Sequence, residues 1–184
     1  MPSRRRPPGD PRPGRLADLV GPRPLYLISR TAELADAFRK HGLPVVLVRV
    51  SFSADGSDRP TRRVELQRHS TGTPPAGADQ IVDQLAGHPE DIIVTKRNWG
   101  AFHGTDLDVH LRRRGVTQVV LTGVATSIGV ESTARAAYEH GYHVTLAIDA
   151  MTDLAAESHQ HALTRIFPCL GETGTTAEIL TLLG

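Results

Sequence analysis

The sequence predicts an α/β protein in which a doubly wound parallel sheet has helices on both faces, in a Rossmann-like three-layer arrangement. Short apolar runs such as VVLVRV at 45–50 and QVVLTG at 118–123 alternate with amphipathic stretches of helical spacing. Continuous apolar runs are typical of strands buried on both faces, and their alternation with helices favours parallel pairing through right-handed crossovers. A length of 184 residues suits a single domain.

The first helix is predicted to begin at Leu25, because apolar residues recur from there at steps of three and four until Gly42 and Pro44 end the pattern. The strand at 45–50 follows, and a polar segment at 51–80 is predicted to be a long loop over a site or an interface. The remaining elements are predicted as a short helix at 79–86, a strand at 91–95, a helix at 105–115, a strand at 118–123, a helix from about Gly129 to His140, a strand at 143–149, a helix at 156–167, a helix-capping turn, GETGTT, at 171–176 and a last helix at 175–183.

Residues 1–24 differ from the rest of the chain and are rich in Pro, Arg and Gly. Such a stretch cannot bury enough apolar surface to offset its ordering entropy, so we predict a disordered tail ahead of one domain at 25–184. An RNA- or membrane-binding tail is the alternative. The lack of interleaved aromatic residues and of an amphipathic period disfavours it.

Composition argues against several classes of function. The formal net charge of +1 gives no electrostatic reason to expect a nucleic-acid partner, and no apolar run approaches the roughly 20 residues that cross a bilayer. Cys169 is the single cysteine, so neither an internal disulfide nor a cysteine-based zinc site is expected, and a reducing, cytoplasmic location is predicted. His159 and His161 lie on different sides of their predicted helix, so we expect no metal and no cofactor.

Three segments should meet at the carboxyl edge of the sheet, where doubly wound proteins bind small-molecule ligands. They are the end of the strand at 45–50, TKRNWGAF after the next strand and GVATSIG after the third. Lys96 ends an apolar strand, and we predict that its amine faces this crevice, with a weakened preference for charge or as a fixed cation for a carboxylate. The alternative is a lysine that reaches solvent. Trp99 and Phe102 are predicted to wall the pocket, with burial in the core as their alternative.

The GVATSIG segment leads into the helix predicted from about Gly129. The first N–H groups of a helix have no partner within it, so the amides of this turn are predicted to bind an anion or a developing oxyanion. The residues that would bind substrate in this way are Val124, Ala125, Thr126 and Ser127. A plain helix start capped by Ser127 or Thr126 is the alternative, and Gly129 has no side chain with which to attack a substrate.

The stretch VTKRNWGAFHGTDLDVHLRRRGVTQVVLTGVATSIGVESTARAAYEHGYHVTLAIDAMTD at 94–153 closely resembles the isochorismatase-like hydrolases, also called the cysteine hydrolases. RTAELADAFRKHGLPVVLVRV at 30–50 is similar to their first helix and second strand. The resemblance implies a six-stranded parallel sheet and a homo-oligomer of two or more chains. It also implies an Asp–Lys–Cys triad, in which Asp is the general base, Lys stabilises charge and Cys is the nucleophile.

Position by position, Lys96 matches the triad lysine and Gly129 occupies the nucleophile position. The resemblance further implies a cis peptide bond between Val124 and Ala125. Members that cleave the vinyl ether of isochorismate by acid catalysis likewise carry glycine at the nucleophile position. The family's first strand, which ends in the catalytic Asp, is not recognisable ahead of the first helix, and Asp18 in RLADLV is the candidate for the base.

Two hypotheses address the missing first strand, which is normally central. The strands at 45–50 and 118–123 could close directly on each other, because each unpaired buried backbone group would cost roughly 1–3 kcal/mol. Otherwise, the N-terminus of this sequence is not the natural one.

Two functions are consistent with these observations. The first is a hydrolase that uses acid–base chemistry, with Lys96 and a carboxylate but no cysteine nucleophile, on a small carboxylated, amide or vinyl-ether substrate. A variant has Ser127 or Ser132 as nucleophile, which the lack of a histidine in the same loop disfavours. The second is a catalytically impaired member of the family, a pseudoenzyme, that binds a small anion or forms oligomers.

Overall fold

The computed structural model describes residues 24–65 and 77–184. The tail predicted at 1–24, apart from Pro24, lies outside the described residues, and so does the candidate base Asp18. The elements in chain order are α1 (Pro24–Lys40), β1 (Val46–Val50), β2 (Ile92–Lys96), α2 (Leu107–Arg113), β3 (Gln118–Val124), a wide, π-helical turn (Thr126–Val130), α3 (Glu131–Glu139), β4 (His143–Thr152), α4 (Ala156–His161), a second wide, π-helical turn (Ala162–Ile166), α5 (Phe167–Leu170), β5 (Glu172–Gly174) and α6 (Thr176–Leu183).

The strands pair in parallel and form two sheets. β1 pairs with β2, with Val46 opposite Ile92 and Val50 opposite Lys96. The second sheet has the order β3–β4–β5 and is also parallel. The α/β class with parallel sheets flanked by helices is therefore confirmed.

The idea that the strands at 45–50 and 118–123 close directly on each other is wrong. Within the described parts of the chain, β1 pairs only with β2, and β3 pairs only with β4. One edge of β1 and one edge of β3 therefore have no strand partner among these residues. In the described residues the parallel neighbour of β1 is β2 and that of β3 is β4, so neither strand pairs with the other.

The core forms on both faces of β4. On one face Val144 and Leu146 pack with Ala134 and Ala137 of α3 and with Phe167 of α5. The small alanine side chains let α3 approach the sheet closely, and the burial of large apolar groups such as Leu146 is the main favourable contribution to folding.

The other face of β4 is covered by two helices that are distant in the sequence. Leu34 of α1 and Ile179 of α6 pack against Ala147 and Ala150. These two clusters place α1 and α6 on one side of the strand and α3 and α5 on the other. Because the helices cover the faces of β4, the site lies at the carboxyl ends of the strands. No helix in the described ranges, 24–65 and 77–184, is both long enough and apolar enough to span a bilayer.

The short helix predicted at 79–86 is wrong, because this segment forms isolated turns. The amides of Leu85 and Ala86 both donate to the carbonyl of Val82, at 2.9 and 3.1 Å, and the turn does not propagate. A helix of two turns gains too few hydrogen bonds to offset the cost of nucleation unless a packed face supports it. Here the residues that follow Val82 are mostly exposed.

Several boundaries also differ from the prediction. β4 continues to Thr152 rather than ending at 149, and the helix predicted at 156–167 extends through a wide turn to Leu170. β5 is a strand that the sequence did not reveal. Next to β5, Gly171 approaches β4 so closely that an added Cβ would lie 2.1 Å from the carbonyl oxygen of Val144. The capping turn predicted at 171–176 is confirmed only at its end, where Thr175 caps α6 in a reciprocal capping box with Glu178, because Glu172–Gly174 form β5.

Candidate active site

The carboxyl ends of β2 and β3 bring Lys96 and Gly129 together, as predicted from their positions after two apolar strands. An added Cβ at Gly129 would lie 3.3 Å from the Lys96 Nζ, 3.3 Å from the carbonyl oxygen of Val124 and 3.6 Å from that of Trp99. The α-carbon of Gly129 therefore faces one amine and two carbonyl oxygens. A side chain at this position would require these neighbours to shift by a few tenths of an ångström, so glycine allows the amine to approach this turn closely.

The amine of Lys96 is half-buried and donates a short hydrogen bond to the carbonyl oxygen of Trp99. Burial lowers the pKa of Lys96 below its ordinary value, because desolvation disfavours the charged form. Within residues 24–65 and 77–184, Lys96 forms no ion pair with a carboxylate. The amine is thus a proton donor of weakened basicity that has a single protein acceptor in this part of the chain.

Thr133 fixes Gly129 relative to the segment that follows β2. The buried hydroxyl of Thr133 donates to the carbonyl oxygen of Gly129 at 2.7 Å and accepts the backbone N–H of Ala101 at 3.0 Å. One side chain on the first turn of α3 therefore joins the two strand-end segments of the site. No sequence pattern indicates this role, because a threonine in a helix is usually only a surface or packing residue.

The turn between β3 and α3 differs from a plain helix start. The Val124–Ala125 peptide bond is cis, and Ala125 is extended, with φ −90° and ψ 144°. The amides of Ile128 and Val130 both donate to the carbonyl oxygen of Ala125, each at 3.1 Å. The α-helix itself begins at Glu131, so the predicted start at about Gly129 is two residues early.

The prediction that the amide of Ser127 binds an anion or oxyanion is wrong. This N–H donates a short hydrogen bond to the carboxylate of Asp153, whose side chain also accepts the N–H of Leu154 at 2.7 Å. Burial would raise the pKa of Asp153, but the hydrogen bonds from Ser127, Leu154 and Ala155 outweigh it, so the pKa lies below its ordinary value. The turn thus already holds a carboxylate of the protein itself. The hydroxyl of Ser127 caps neither the wide turn nor α3.

Thr126 is fully buried, and its hydroxyl lies 2.9 Å from the Nδ1 of His159 on α4. This contact was not predicted, since His159 was considered only as a metal ligand. Among the hydrogen bonds of the described residues, His159 bonds to Thr126 and not to Ser127, so none of them pairs it as a base with a serine nucleophile. Thr126 therefore belongs to the support of the turn, and its side chain is not exposed to a substrate.

The two aromatic residues lie in different environments. Trp99 is 69% exposed, so its backbone contributes to the site through the carbonyl group while its indole faces outward. Phe102 does not wall the pocket. It is buried and stacks on His140 at a centroid distance of 5.2 Å, and its ring lies 5.9 Å from that of Tyr142. His140 follows the end of α3, so the ring of Phe102 packs in the core beside that end of the helix.

The loop that follows β1 is tied to the residue next to Lys96. Arg97 donates a short hydrogen bond to Asp58 and lowers the pKa of that carboxyl to about 2. Asp58 also accepts the backbone N–H of Ser53 at 2.7 Å. The described part of the predicted loop, residues 51–65, therefore reaches the border of the site, and the charge of Arg97 is already neutralised.

Comparison with known proteins gives a consistent result. The isochorismatase domain model matches residues 23–178. An isochorismatase family protein of Bacillus subtilis, YwoC, is 43% identical over 155 residues, which are 84% of this chain and 82% of the relative. The structure of an isochorismatase family protein from Burkholderia thailandensis superimposes with a TM-score of 0.81 at 44% identity, covering 86% of this chain and 83% of that one. The ureidoacrylate amidohydrolase RutB of Methylobacterium radiotolerans is 38% identical over 105 residues, 56% of this chain and 41% of its own.

Proposed function

Since the chain belongs to the isochorismatase family, we propose that it is a hydrolase acting on a small amide, carboxylated or vinyl-ether substrate by acid–base chemistry, without a cysteine nucleophile. The relative named as a ureidoacrylate amidohydrolase supports amide hydrolysis as the first class of reaction to test.

The observation that carries the proposal is the position of the Lys96 amine beside Gly129. Glycine supplies no nucleophile, so water must attack the substrate carbonyl. During amide hydrolysis the C–N bond breaks, the water oxygen stays on the acyl group and the leaving nitrogen takes up a proton. Lys96, whose pKa burial lowers, is the group in the described site that can donate this proton or stabilise the negative charge on the carbonyl oxygen.

The surroundings of Gly129 are polar. The Lys96 amine is a donor, and the carbonyl oxygens of Val124 and Trp99 are acceptors on the same side of the glycine. We propose that Asp18 or another carboxylate outside the described residues removes the proton of the hydrolytic water.

A second candidate function is the binding of a small anion without turnover. It is favoured by the lack of a carboxylate partner for Lys96 in the described ranges, since an unpaired ammonium group can hold the carboxylate of a ligand. This candidate predicts saturable binding of small carboxylates and no product from any substrate class.

A substrate panel with two lysine variants tests the proposal. The chain has only two lysines, Lys40 and Lys96, and Lys40 is exposed at the end of α1, so Lys40→Met is a matched control for Lys96→Met. Small amides, ureido acids and a vinyl-ether acid are supplied, and ammonia or the carbonyl product is measured. Loss of an acid catalyst is expected to lower kcat/KM by about 10²–10⁴-fold for Lys96→Met, with no change for Lys40→Met.

Equal activity of the two variants would remove Lys96 from the mechanism. If the wild-type protein turned over none of the substrates but bound small carboxylates in a manner that depends on Lys96, the binding function would replace the hydrolase.

A further inference from the structure

Asp153 lies directly after β4, at the same edge of the sheet as the site, and reaches across to the turn that follows β3. It is 8% exposed, and its carboxylate accepts the N–H groups of Ser127 and Leu154. β3 and β4 are neighbours, with Val124 opposite Thr152. The strand pairing therefore sets the separation between the carboxylate and the turn.

A second contact joins the same two regions. The buried hydroxyl of Thr126 is hydrogen-bonded to His159 of α4, the helix that begins directly after Ala155. The turn is thus held at two consecutive positions, at the backbone of Ser127 and at the side chain of Thr126, by the segment that follows β4. Neither Asp153 nor His159 is among the groups that contact Gly129.

The turn held in this way also carries the polar surroundings of Lys96. The carbonyl oxygen of Val124 precedes the turn and Gly129 lies within it, and a Cβ added at Gly129 would lie 3.3 Å from both this oxygen and the Lys96 Nζ. A displacement of the turn by a few tenths of an ångström would change which acceptors the amine can reach, because hydrogen bonds weaken steeply with distance and angle.

We infer that Asp153 is a positioning residue of this site, which fixes the turn at Thr126–Val130 and thereby holds Gly129 beside the Lys96 amine. The expected effect of Asp153 on the rate of turnover rests on the proposed hydrolase function, whereas its expected effect on the position of the turn does not. Asp153 touches neither Lys96 nor Gly129, so it acts through the turn.

Asp149, which lies on β4 itself, offers a matched control. It also uses its carboxylate to hold a backbone N–H and a hydroxyl, those of Thr176 at 2.7 and 2.8 Å, but Thr176 begins α6. Asp149→Ala and Asp153→Ala each remove one charge-assisted cap from a neighbouring element. Both are expected to lower stability, and only the second is expected to affect the site.

Two measurements on the folded full-length variants test the inference without requiring turnover. Amide hydrogen exchange at Ser127 is expected to become at least about tenfold faster in Asp153→Ala, to change less in Asp153→Asn, which keeps one acceptor oxygen, and to be unaffected in Asp149→Ala. An amine-reactive reagent labels Lys96 with a midpoint pH that mass spectrometry can measure against Lys40 in the same molecules. This midpoint is expected to move to higher pH in Asp153→Ala alone.

Kinetics then separate positioning from general stability. With a substrate from the panel, Asp153→Asn is expected to lower kcat about tenfold with little change in KM, and Asp149→Asn is expected to leave both constants unchanged. Identical behaviour of the paired Asp153 and Asp149 variants in exchange and labelling would overturn the inference. If the wild type has no activity but the exchange and labelling differences appear, the proposed function fails and the positioning role stands.

Discussion

Both sheets of this protein contain apolar strands, but large apolar side chains are exposed on both strands of the two-stranded sheet and on none of the three-stranded sheet. In β4, which lies between β3 and β5, Leu146 and Ala147 are completely buried. In the two-stranded sheet, Val48 and Val50 of β1 are 39% and 44% exposed, and Ile93 of β2 is 48% exposed. A parallel strand loses its contact with water when helices cover both faces and other strands cover both edges.

The site lies where these two sheets meet. Lys96 comes from the end of the two-stranded sheet, and Gly129 and Asp153 come from segments that follow strands of the three-stranded sheet. The two sheets therefore contribute different parts of the site. The well-packed sheet supplies a fixed turn, and the more exposed sheet supplies the amine that approaches it.

The largest expected effect tests the difference in burial directly. Leu146→Ala in β4 is expected to lower the free energy of unfolding by about 2–5 kcal/mol, because it opens a cavity in a core that cannot collapse around it. Ile93→Ala in β2 is expected to cost less than about 1 kcal/mol, since half of that side chain already contacts water. Urea unfolding of both variants measures the difference, and equal losses would show that the two sheets are packed alike.

A second prediction concerns the edge of the three-stranded sheet. Gly171→Ala is expected to cost about 1–3 kcal/mol, because the new methyl group would overlap the Val144 carbonyl and force β5 away from β4. Gly174→Ala is the control, since its nearest neighbour would be a side-chain atom of Ile179 at 3.6 Å, an ordinary contact. Thermal unfolding of both variants is the measurement. A neutral Gly171→Ala would mean that β5 is not held tightly.

The smallest expected effect lies beside the two-stranded sheet and depends on pH. Arg97 lowers the pKa of Asp58 from 3.8 to about 2, so the carboxylate adds stability above its unfolded pKa and loses that contribution as pH falls through the folded value. Asp58→Asn should therefore reduce the slope of stability against pH between about 4 and 2. Denaturant midpoints across this range are compared with those of Asp83→Asn, an exposed carboxylate, and parallel curves for the wild type and Asp58→Asn would contradict the prediction.

Much of the fold and part of the site could be predicted from the sequence. The apolar runs located every strand except β5, and strand ends together with the family resemblance identified Lys96 and Gly129. These features depend on local pattern. β5 has three residues, too few for a pattern, and is defined by pairing with β4 across a close approach at Gly171.

The errors share a physical cause, which is that they depend on contacts distant in the sequence. The segment at 79–86 has the apolar spacing of a helix but finds no packing partner that would stabilise one. Phe102 follows a strand end, yet it is drawn into the core by His140 and Tyr142. The amide of Ser127 is taken by Asp153, twenty-six positions later along the chain. No local pattern contains these partners.

The lack of a side chain at Gly129 also has a consequence for the evolution of such a protein. A glycine codon that ends in a pyrimidine becomes a cysteine codon through one nucleotide substitution, so a thiol at this position is genetically close. Its Cβ would lie 3.3 Å from the Lys96 amine and from the Val124 carbonyl oxygen, so both would have to shift by a few tenths of an ångström. Directed evolution that begins from Gly129→Cys should therefore select its compensating changes around Lys96 and Trp99 before any thiol chemistry improves.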